Sequence, residues 1–416
     1  MRIAVIGAGG AGLFTTWLLA EEHDVVLFEK EPRAGGHVHT LEVENDGKTA
    51  HVEVGARYFF DEGYDRLHAL LQRLGVATRR ISMSSSFSLD RGRGTLVVPP
   101  LDPRSLVTCL HPTRLFSLVG LGLFVRAAER VLAERNRDVT VRALAERSGA
   151  PREAIESVLV PLVASSWGAP RELAEEMSAF TVASVMGLRA GRLPHTHAVE
   201  GGLSAYVRAL LADAPRATVR LGTPIAGLTR LPQGLRVAWN GGSEAFDAVV
   251  LAADWRSATR LCSGSDALAS WAERFGAFED YDTRVAVHLD LSLMPENRRH
   301  WRPMNFFLSR DERSRSTEWS GAEQQAPVFR TWLKPGEEAP KSTRWEAHYR
   351  HIAVTPAHWR RQSALTRLQG THGLWAAGMY TDGVDNHESA LRSAANVVRR
   401  LSPTARLRWL DRAVSA

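Results

Sequence analysis

Cysteine is nearly absent from this chain: Cys109 and Cys262 are the only two in 416 residues. They are too few for a disulfide framework and lack metal-ligand spacing, which points to a reducing, cytoplasmic setting. No run approaches the roughly 20 apolar residues that cross a bilayer, so no membrane-spanning segment is expected. The apolar start is not an export signal either, because no small-residue cleavage site follows it. Blocks of like charge are missing too. The formal charge of +6 is spread along the chain, which argues against nucleic acid as a partner and leaves weak attraction to anionic substrates or lipid surfaces open. Lysine is confined to Lys30, Lys48, Lys334 and Lys341 among 52 basic residues. The length exceeds one ordinary domain, so two domains are expected. No internal repeat is found.

What is present begins at the amino end. Arg2–Ile6 is an apolar run of the kind buried on both faces of a sheet. Gly7, Gly9 and Gly12 follow in a G-x-G-x-x-G pattern, Leu13–Ala20 continues as a helix, and Asp24–Phe28 is a second buried strand ending in Glu29. Each part has a physical role. Gly7 permits the tight turn, Gly9 the close approach of a pyrophosphate, Gly12 the packing of helix on strand, and Glu29 takes the ribose hydroxyls. The pyrophosphate would sit on unpaired N–H groups at the helix N-terminus. A carboxylate at Glu29 suits a free 2′-hydroxyl and repels a 2′-phosphate. The dinucleotide site is therefore expected at Gly7, Gly9, Gly10, Ala11, Gly12, Glu29 and Lys30. No second fingerprint of this kind follows, so a built-in NAD(P)H site is not expected.

Directly after Glu29 comes Arg33-Ala34-Gly35-Gly36-His37-Val38-His39-Thr40. Here the chain resembles the flavin-containing amine oxidase superfamily, in which a paired-glycine motif follows the ribose acid. His37 stands where the superfamily usually has arginine. That variant, with Thr40, resembles a bacterial branch of FAD-dependent oxidoreductases associated with unsaturated or cyclopropane fatty acids. The resemblance implies an α/β fold with a Rossmann-type FAD-binding domain of the amine-oxidase kind, built from 1–90, 195–260 and 365–416. A discontinuous mixed α+β substrate domain with a helical insert would come from 91–194 and 261–364. It also implies non-covalent FAD, with cofactor contacts at Gly35, Gly36 and His37.

The same resemblance extends along the chain. Ala50–Ala56 reads as a strand leading to an acid-x-Gly pattern, Glu53 and Gly55, with Ala56 and Arg57 entering the site. Tyr64–Leu74 has helical apolar spacing and ends at Gly75. Ser82–Ser88 resembles a short polar strand. From about Val97 to Pro194 composition shifts, with chain breaks at Pro99, Pro100 and Pro103. Thr113–Leu132 is the most apolar stretch and reads as a buried helix, with an interfacial anchor or the wall of an acyl tunnel as alternatives. Thr140–Ser148 and Pro151–Leu159 read as two short helices. Val199-Glu200-Gly201-Gly202 before a helix, with Tyr206-Val207 inside it, resembles the return to the nucleotide domain. His195 and His197 precede it; as a metal pair they lack a third ligand, so no metal is expected. Ala217–Leu228 and Gly234–Trp239 read as a strand pair joined to Phe246–Ala253, with Ile225 and Ala252 near the dinucleotide. Thr283–Leu291 reads as a strand. Many amine oxidases have a lysine in this region, where this chain has Arg284, and Lys334 is distant. Glu312–Gln325 is polar and arginine-rich and reads as a surface loop.

Near the carboxyl end, Gly373–Gly383 followed by Asn386-His387-Glu388-Ser389-Ala390-Leu391 looks like a terminal flavin signature. It implies a strand ending at Gly378, a loop under the flavin, and a helix whose N-terminus stabilises charge on the reduced ring. Gly378, Asn386, His387 and Ala390 are the cofactor contacts so implied. Asp382 would take the place of the acid that relatives carry just after Gly378. The expected reaction is hydride transfer to a flavin from an apolar small molecule, in a site needing proximity and dryness more than strong acid–base groups. Tyr380 is the candidate facing the ring, with His195 and His197 as candidate proton acceptors. Amine or amino-acid oxidation, redox-neutral double-bond isomerisation and a non-catalytic flavin-binding scaffold are the competing readings.

Overall fold

A computed structural model describes residues 1–89, 95–98, 112–188, 195–311 and 313–415, with side chains omitted at 95–98 and 112–116. Pro99, Pro100, Pro103, Cys109 and Pro194 lie outside the described residues.

Five short strands build a wholly parallel sheet in the order Thr218–Arg220, Asp24–Phe28, Arg2–Ile6, Ala248–Leu251, Leu374–Ala376. Alternation along Arg2–Ile6 sends Ile3 and Val5 into one apolar cluster with Leu13, Phe14 and Trp17, and Ala4 and Ile6 into another with Phe28, Val237 and Phe246. Both faces are thus covered, as the unbroken apolar run predicts. Helices Gly10–Leu19, Ser204–Ala212 and His387–Leu401 cover the first face. The second is covered partly by an antiparallel meander, Ile225–Arg230, Leu235–Trp239 and Gly242–Phe246. The expected single strand Ala217–Leu228 is therefore two: its first half joins the parallel sheet and its second half opens the meander.

A mixed sheet of seven strands forms the other layer, in the order Thr343–Ile352, Asp280–His288, Phe329–Leu333, Arg315–Glu318, Met304–Leu308, Ser85–Leu89, Thr95–Val98. Two findings here depart from expectation. Arg315–Glu318, read as part of a surface loop, is an interior strand, with Ser316 and Thr317 buried. Its small hydroxyl side chains hydrogen-bond inside, Ser316 Oγ to Ser165 O at 2.7 Å and Thr317 Oγ1 with Thr331 Oγ1 at 2.8 Å. Ser85–Leu89, grouped by sequence with the first nucleotide-binding segment, pairs with Met304–Leu308 in this mixed sheet.

Helix Pro112–Ala133 runs through the apolar stretch, burying Phe124, Ala128 and Val131 while Val119 is exposed. The second expected short helix does not stop at Leu159. Arg152–Ala154, a π-helical turn Ile155–Leu159 and Val160–Trp167 follow one another without a break. Pro161 explains the wide turn, since it lacks an N–H and crowds the carbonyl four residues back.

Candidate functional site

Register decides where the site forms. Ile6 lies opposite Phe28 and Leu251, and Leu251 opposite Ala376. The parallel strands therefore end together, delivering Gly7, Glu29, Ala252 and Ala377 to one edge, where ligands bind in open parallel sheets. Gly7 turns with φ +105, and a methyl there would stand 2.6 Å from Ala252 O. A methyl on Gly12 would meet the Gly7 carbonyl oxygen, so helix and strand touch through bare backbone. No side chain caps the helix that begins at Gly10, and a methyl on Gly9 would meet no protein atom within 4 Å. The Glu29 carboxylate accepts the Ala8 N–H at 2.7 Å and the Glu31 N–H at 3.0 Å. Uncapped N–H groups, a side-chain-free approach and an oriented acid fit a dinucleotide.

A cavity of about 1140 Å³ opens from this edge to the mixed sheet. Of the expected cofactor residues, Gly7, Gly9, Gly10, Ala11, Glu29, Lys30, Gly35, Gly36, His37, Gly55, Ala56, Arg57, Ile225, Ala252, Gly378, Asn386, His387 and Ala390 line it. The terminal motif divides its labour. Asn386 caps its own helix at the Ser389 N–H, 2.9 Å away. Glu388 instead accepts the Arg66 and Leu67 N–H groups, each at 3.1 Å, capping helix Asp65–Arg73. The His387 ring fills the space left by the bare Gly10 and lies 2.7 Å from the Tyr206 hydroxyl. Burial pushes its imidazole down to about 4.

The roof follows from pairing, because residues opposite one another across strands share a face. His351 lies opposite Tyr281, Val285 opposite Trp332, Arg330 opposite Glu318, Glu318 opposite Met304, and Phe306 opposite Phe87. The cavity face therefore passes from rings, through an ion cluster, to hydrocarbon. At the ring end, Trp332 and His351 lie 5.2 Å apart, and His37 and Tyr349 5.0 Å apart. His351 Nδ1 stands 3.8 Å from the buried Asp385 carboxylate. Burial works to raise the Asp385 carboxyl, but the facing His351, His358 and His37 outweigh it and hold it below its ordinary value. Burial and the neighbouring His351 push His37 down to about 4. Both ring nitrogens of His351 and Nε1 of Trp332 are buried without a hydrogen bond inside the protein. Such groups are costly to bury alone, which fits a polar ligand edge at this end.

In the centre, Arg57 Nη1 donates to Glu318 Oε2 at 3.1 Å, and Arg330 Nη1 lies 3.9 Å from the same oxygen. Burial and the nearby Arg57 push Arg330 down to about 9. Glu53 accepts the Leu203 N–H at 2.6 Å and the Thr40 hydroxyl at 3.0 Å. Burial nevertheless raises its carboxyl to about 7. At the far end Met304, Phe306, Phe87, Leu162, Leu121 and Val125 supply an apolar wall. The helix Pro112–Ala133, read first as a buried helix with a tunnel wall as one alternative, is both: it buries Phe124 and Ala128 and gives Leu121 and Val125 to the cavity.

Several candidates move. The Tyr380 ring lines the cavity, but its hydroxyl donates to Ala253 O at 3.0 Å and its ring packs on Trp255, Phe275 and Phe278. Ring and hydroxyl are thus both held by protein groups. His197 lies outside the cavity against Phe59 and His68, while His195 reaches the cavity as an exposed residue. Asp382 points away, accepting from Asn396 Nδ2 at 2.6 Å and Arg392 Nε at 3.2 Å. Asp385, in the same loop, is the acid inside. Sequence reasoning passed over it together with His351, Trp332, Arg330 and Glu318. Strand alternation could have found the middle three. Arg284 faces away from the cavity, paired with Glu346 at 2.8 Å, and Lys334 does not line it. Among the described residues no group of three or more metal-ligating side chains exists, and no helix is long and apolar enough to cross a membrane.

Solved structures share this fold over nearly their whole length. A fatty acid isomerase from P. acnes superposes with a TM-score of 0.69 at 15% identity, covering 96% of this chain and 98% of that one. Putrescine oxidase bound to putrescine gives 0.65 at 15% identity, covering 96% and 98%. Cyclohexylamine oxidase from Brevibacterium oxydans also gives 0.65 at 15% identity, covering 96% and 99%. A curated Methanocaldococcus jannaschii protein is 37% identical over 81 residues, a match spanning only 20% of either chain. Residues 11–320 match the family described as flavin containing amine oxidoreductase. With a glycine cradle at the sheet edge, the fold of flavin oxidases and a family match over most of its length, the chain belongs to the flavin containing amine oxidoreductase family and is an oxidoreductase.

Proposed function

We propose that the protein binds FAD non-covalently and oxidises or desaturates an apolar small molecule by hydride transfer. One observation carries the reading: a single cavity joins the glycine cradle to an apolar sheet face. Bound at that cradle, a flavin supplies hydride acceptance at its N5. This chain's residues do the rest. Gly9, Gly10 and Ala11 would hold the diphosphate and Glu29 the ribose. The walls exclude water and hold the substrate close. His351, half-buried beside Asp385 with both ring nitrogens enclosed, replaces His195 and His197 as the candidate proton acceptor. Cys262, buried and with its thiol pushed up to about 12 by burial, does not line the cavity and offers no covalent link.

Amine oxidation is the second reading, since putrescine oxidase and cyclohexylamine oxidase share the fold. Against it, the Trp332 face that could receive an ammonium already carries Arg330 at 4.4 Å. The deciding experiment is the visible spectrum of the purified protein, acid release of its flavin, and anaerobic bleaching with matched apolar and amine compounds. Bleaching by an apolar compound supports the proposal, and bleaching by amines alone replaces it with the second reading. Product change without acceptor use would indicate isomerisation. A bound flavin that nothing reduces would indicate a scaffold, and a colourless protein that refuses FAD would end the proposal.

A further inference from the structure

One buried amide reaches from the helix Pro356–Thr366 to the loop that carries Asp385. Gln362, on that helix, is 5% exposed. Its Oε1 accepts the Gly383 N–H at 3.2 Å, and its Nε2 donates to Gly383 O at 2.9 Å. The main chain of one residue thus fixes which end of the amide is which, because the reverse orientation would set donor against donor and acceptor against acceptor. Gln362 Nε2 also lies 2.8 Å from His358 Nε2. An amide nitrogen only donates, so that ring nitrogen accepts and carries no proton. Burial pushes the His358 imidazole down to about 4, so at neutral pH the ring holds a single proton. That proton sits on Nδ1.

A second, independent observation concerns this nitrogen. His358 is 1% exposed, and its Nδ1 has no hydrogen-bond partner inside the protein, a costly state for a buried N–H. The charged groups acting on the ring are Asp385, which favours its protonated form, and Arg361, which opposes it. Asp385, two residues beyond the clamped Gly383, is acted on in turn by His351, His358 and His37, and its charge also reaches Tyr281.

We propose that Gln362 is a positioning residue: it ties the Gly383 main chain to one tautomer of His358, whose Nδ1–H is offered to Asp385, directly or through one water, and keeps that carboxylate ionised beside His351. With the proton on Nε2 instead, the ring would turn a lone pair toward Asp385, and the carboxyl would rise. The inference rests on the proposed function in taking Asp385 and His351 as the proton-handling pair; the tautomer itself is read without turnover.

The first test labels the histidines of the full-length protein with a nitrogen isotope and reads the ring-nitrogen NMR shifts at neutral pH, with and without FAD. His358 is assigned by its absence from His358→Asn. The parent is expected to show His358 protonated on Nδ1, and Gln362→Met, which has neither donor nor acceptor amide, to lose that preference. A parent protonated on Nε2, or an unchanged tautomer in Gln362→Met, overturns the inference. The second test follows anaerobic flavin reduction against pH, with a compound that bleaches the parent. Gln362→Met and His358→Phe should move the acid limb of the rate up by about one pH unit. His358→Asn, which sets an amide donor near the place of Nδ1, should bring the limb back toward the parent and serves where either other variant does not fold. A rate lowered equally at every pH, with the limb in place, leaves Gln362 a merely structural role and overturns the inference. If no compound bleaches the parent, the expected tautomers still sustain the clamp while the oxidoreductase reading falls.

Discussion

Alanine at Gly7 and alanine at Gly9, one residue between them, should do opposite things. Gly7 sits at φ +105, and a methyl there would lie 2.6 Å from Ala252 O and 2.8 Å from its carbonyl carbon. Holding alanine in that conformation costs ~1–3 kcal/mol, and the clash with rigid main chain adds another ~1–3 kcal/mol. Reduced freedom of the unfolded chain returns only ~0.4–1 kcal/mol. Gly7→Ala should therefore lose ~1–6 kcal/mol. With an unfolding entropy of about 0.9 kcal/mol/K for a chain this long, that is a fall of about 1–6 °C in Tm. Gly9 is different: φ −74 and ψ 179 suit alanine, and its methyl would touch no protein atom within 4 Å. Gly9→Ala should keep or slightly raise the Tm of the flavin-free protein. The methyl would instead occupy the approach to the diphosphate, so FAD affinity should fall at least 10-fold, or about 1.4 kcal/mol. Thermal melts of flavin-free protein and fluorescence titration with FAD separate the two effects. A stable Gly7→Ala would refute the close-approach reasoning, and a Gly9→Ala that binds FAD like the parent would refute the cradle.

Tyr380→Phe removes one hydrogen bond to Ala253 O, costing about 1 kcal/mol; anaerobic flavin reduction should stay within about threefold of the parent, and a hundredfold loss would restore the tyrosine as catalytic. Asp385→Asn removes the charge facing His351 and should slow flavin reduction about 100-fold with FAD affinity nearly unchanged, as should His351→Gln; parent-like rates in either would remove the pair from the chemistry. Burial raises Glu53 from 4.5 to about 7, so between those values the folded protein holds a proton that the unfolded chain has released. Stability therefore declines as pH rises from 4.5 to about 7 and levels off above, and Glu53→Gln should remove up to ~3 kcal/mol of that slope, read from Tm across pH.

The parts legible in the sequence are those with one dominant cause. Arg2–Ile6 reads as a doubly buried strand because nothing polar interrupts it, and Gly7 and Gly12 after it are required by backbone contacts that no side chain tolerates. Helix Asp65–Arg73 shows in the spacing of Leu67, Leu70 and Leu71, all buried. Illegible parts have causes distant in the chain. Whether Asp382 or Asp385 enters the cavity is decided by Arg392 and Asn396, which sit on the following helix and draw Asp382 outward. The helix through Pro161 continues because a wide turn absorbs the missing N–H, which local propensity alone does not predict.

The strand taken for a loop shows why a polar segment can be central. A slip of one residue in the mixed sheet would turn Arg330, Glu318, Met304 and Phe306 away from the cavity. The opposite face prevents this with a row of buried polar groups. Ser86 Oγ donates to Asn305 Oδ1 at 2.8 Å, and Asn305 Nδ2 to Thr317 O at 3.2 Å. Thr317 Oγ1 lies 2.8 Å from Thr331 Oγ1, which in turn lies 2.9 Å from His288 Nε2. All five residues are buried, so each bond lost to a slip leaves an unpaired group at a cost of about 1–3 kcal/mol. The Thr317 hydroxyl, one of the groups that make Ser314–Thr317 look solvent-facing, and the Asn305 amide beside it are what align the ion cluster with the hydrocarbon wall. Register, and through it the shape of the site, is held by the face turned away from the cavity.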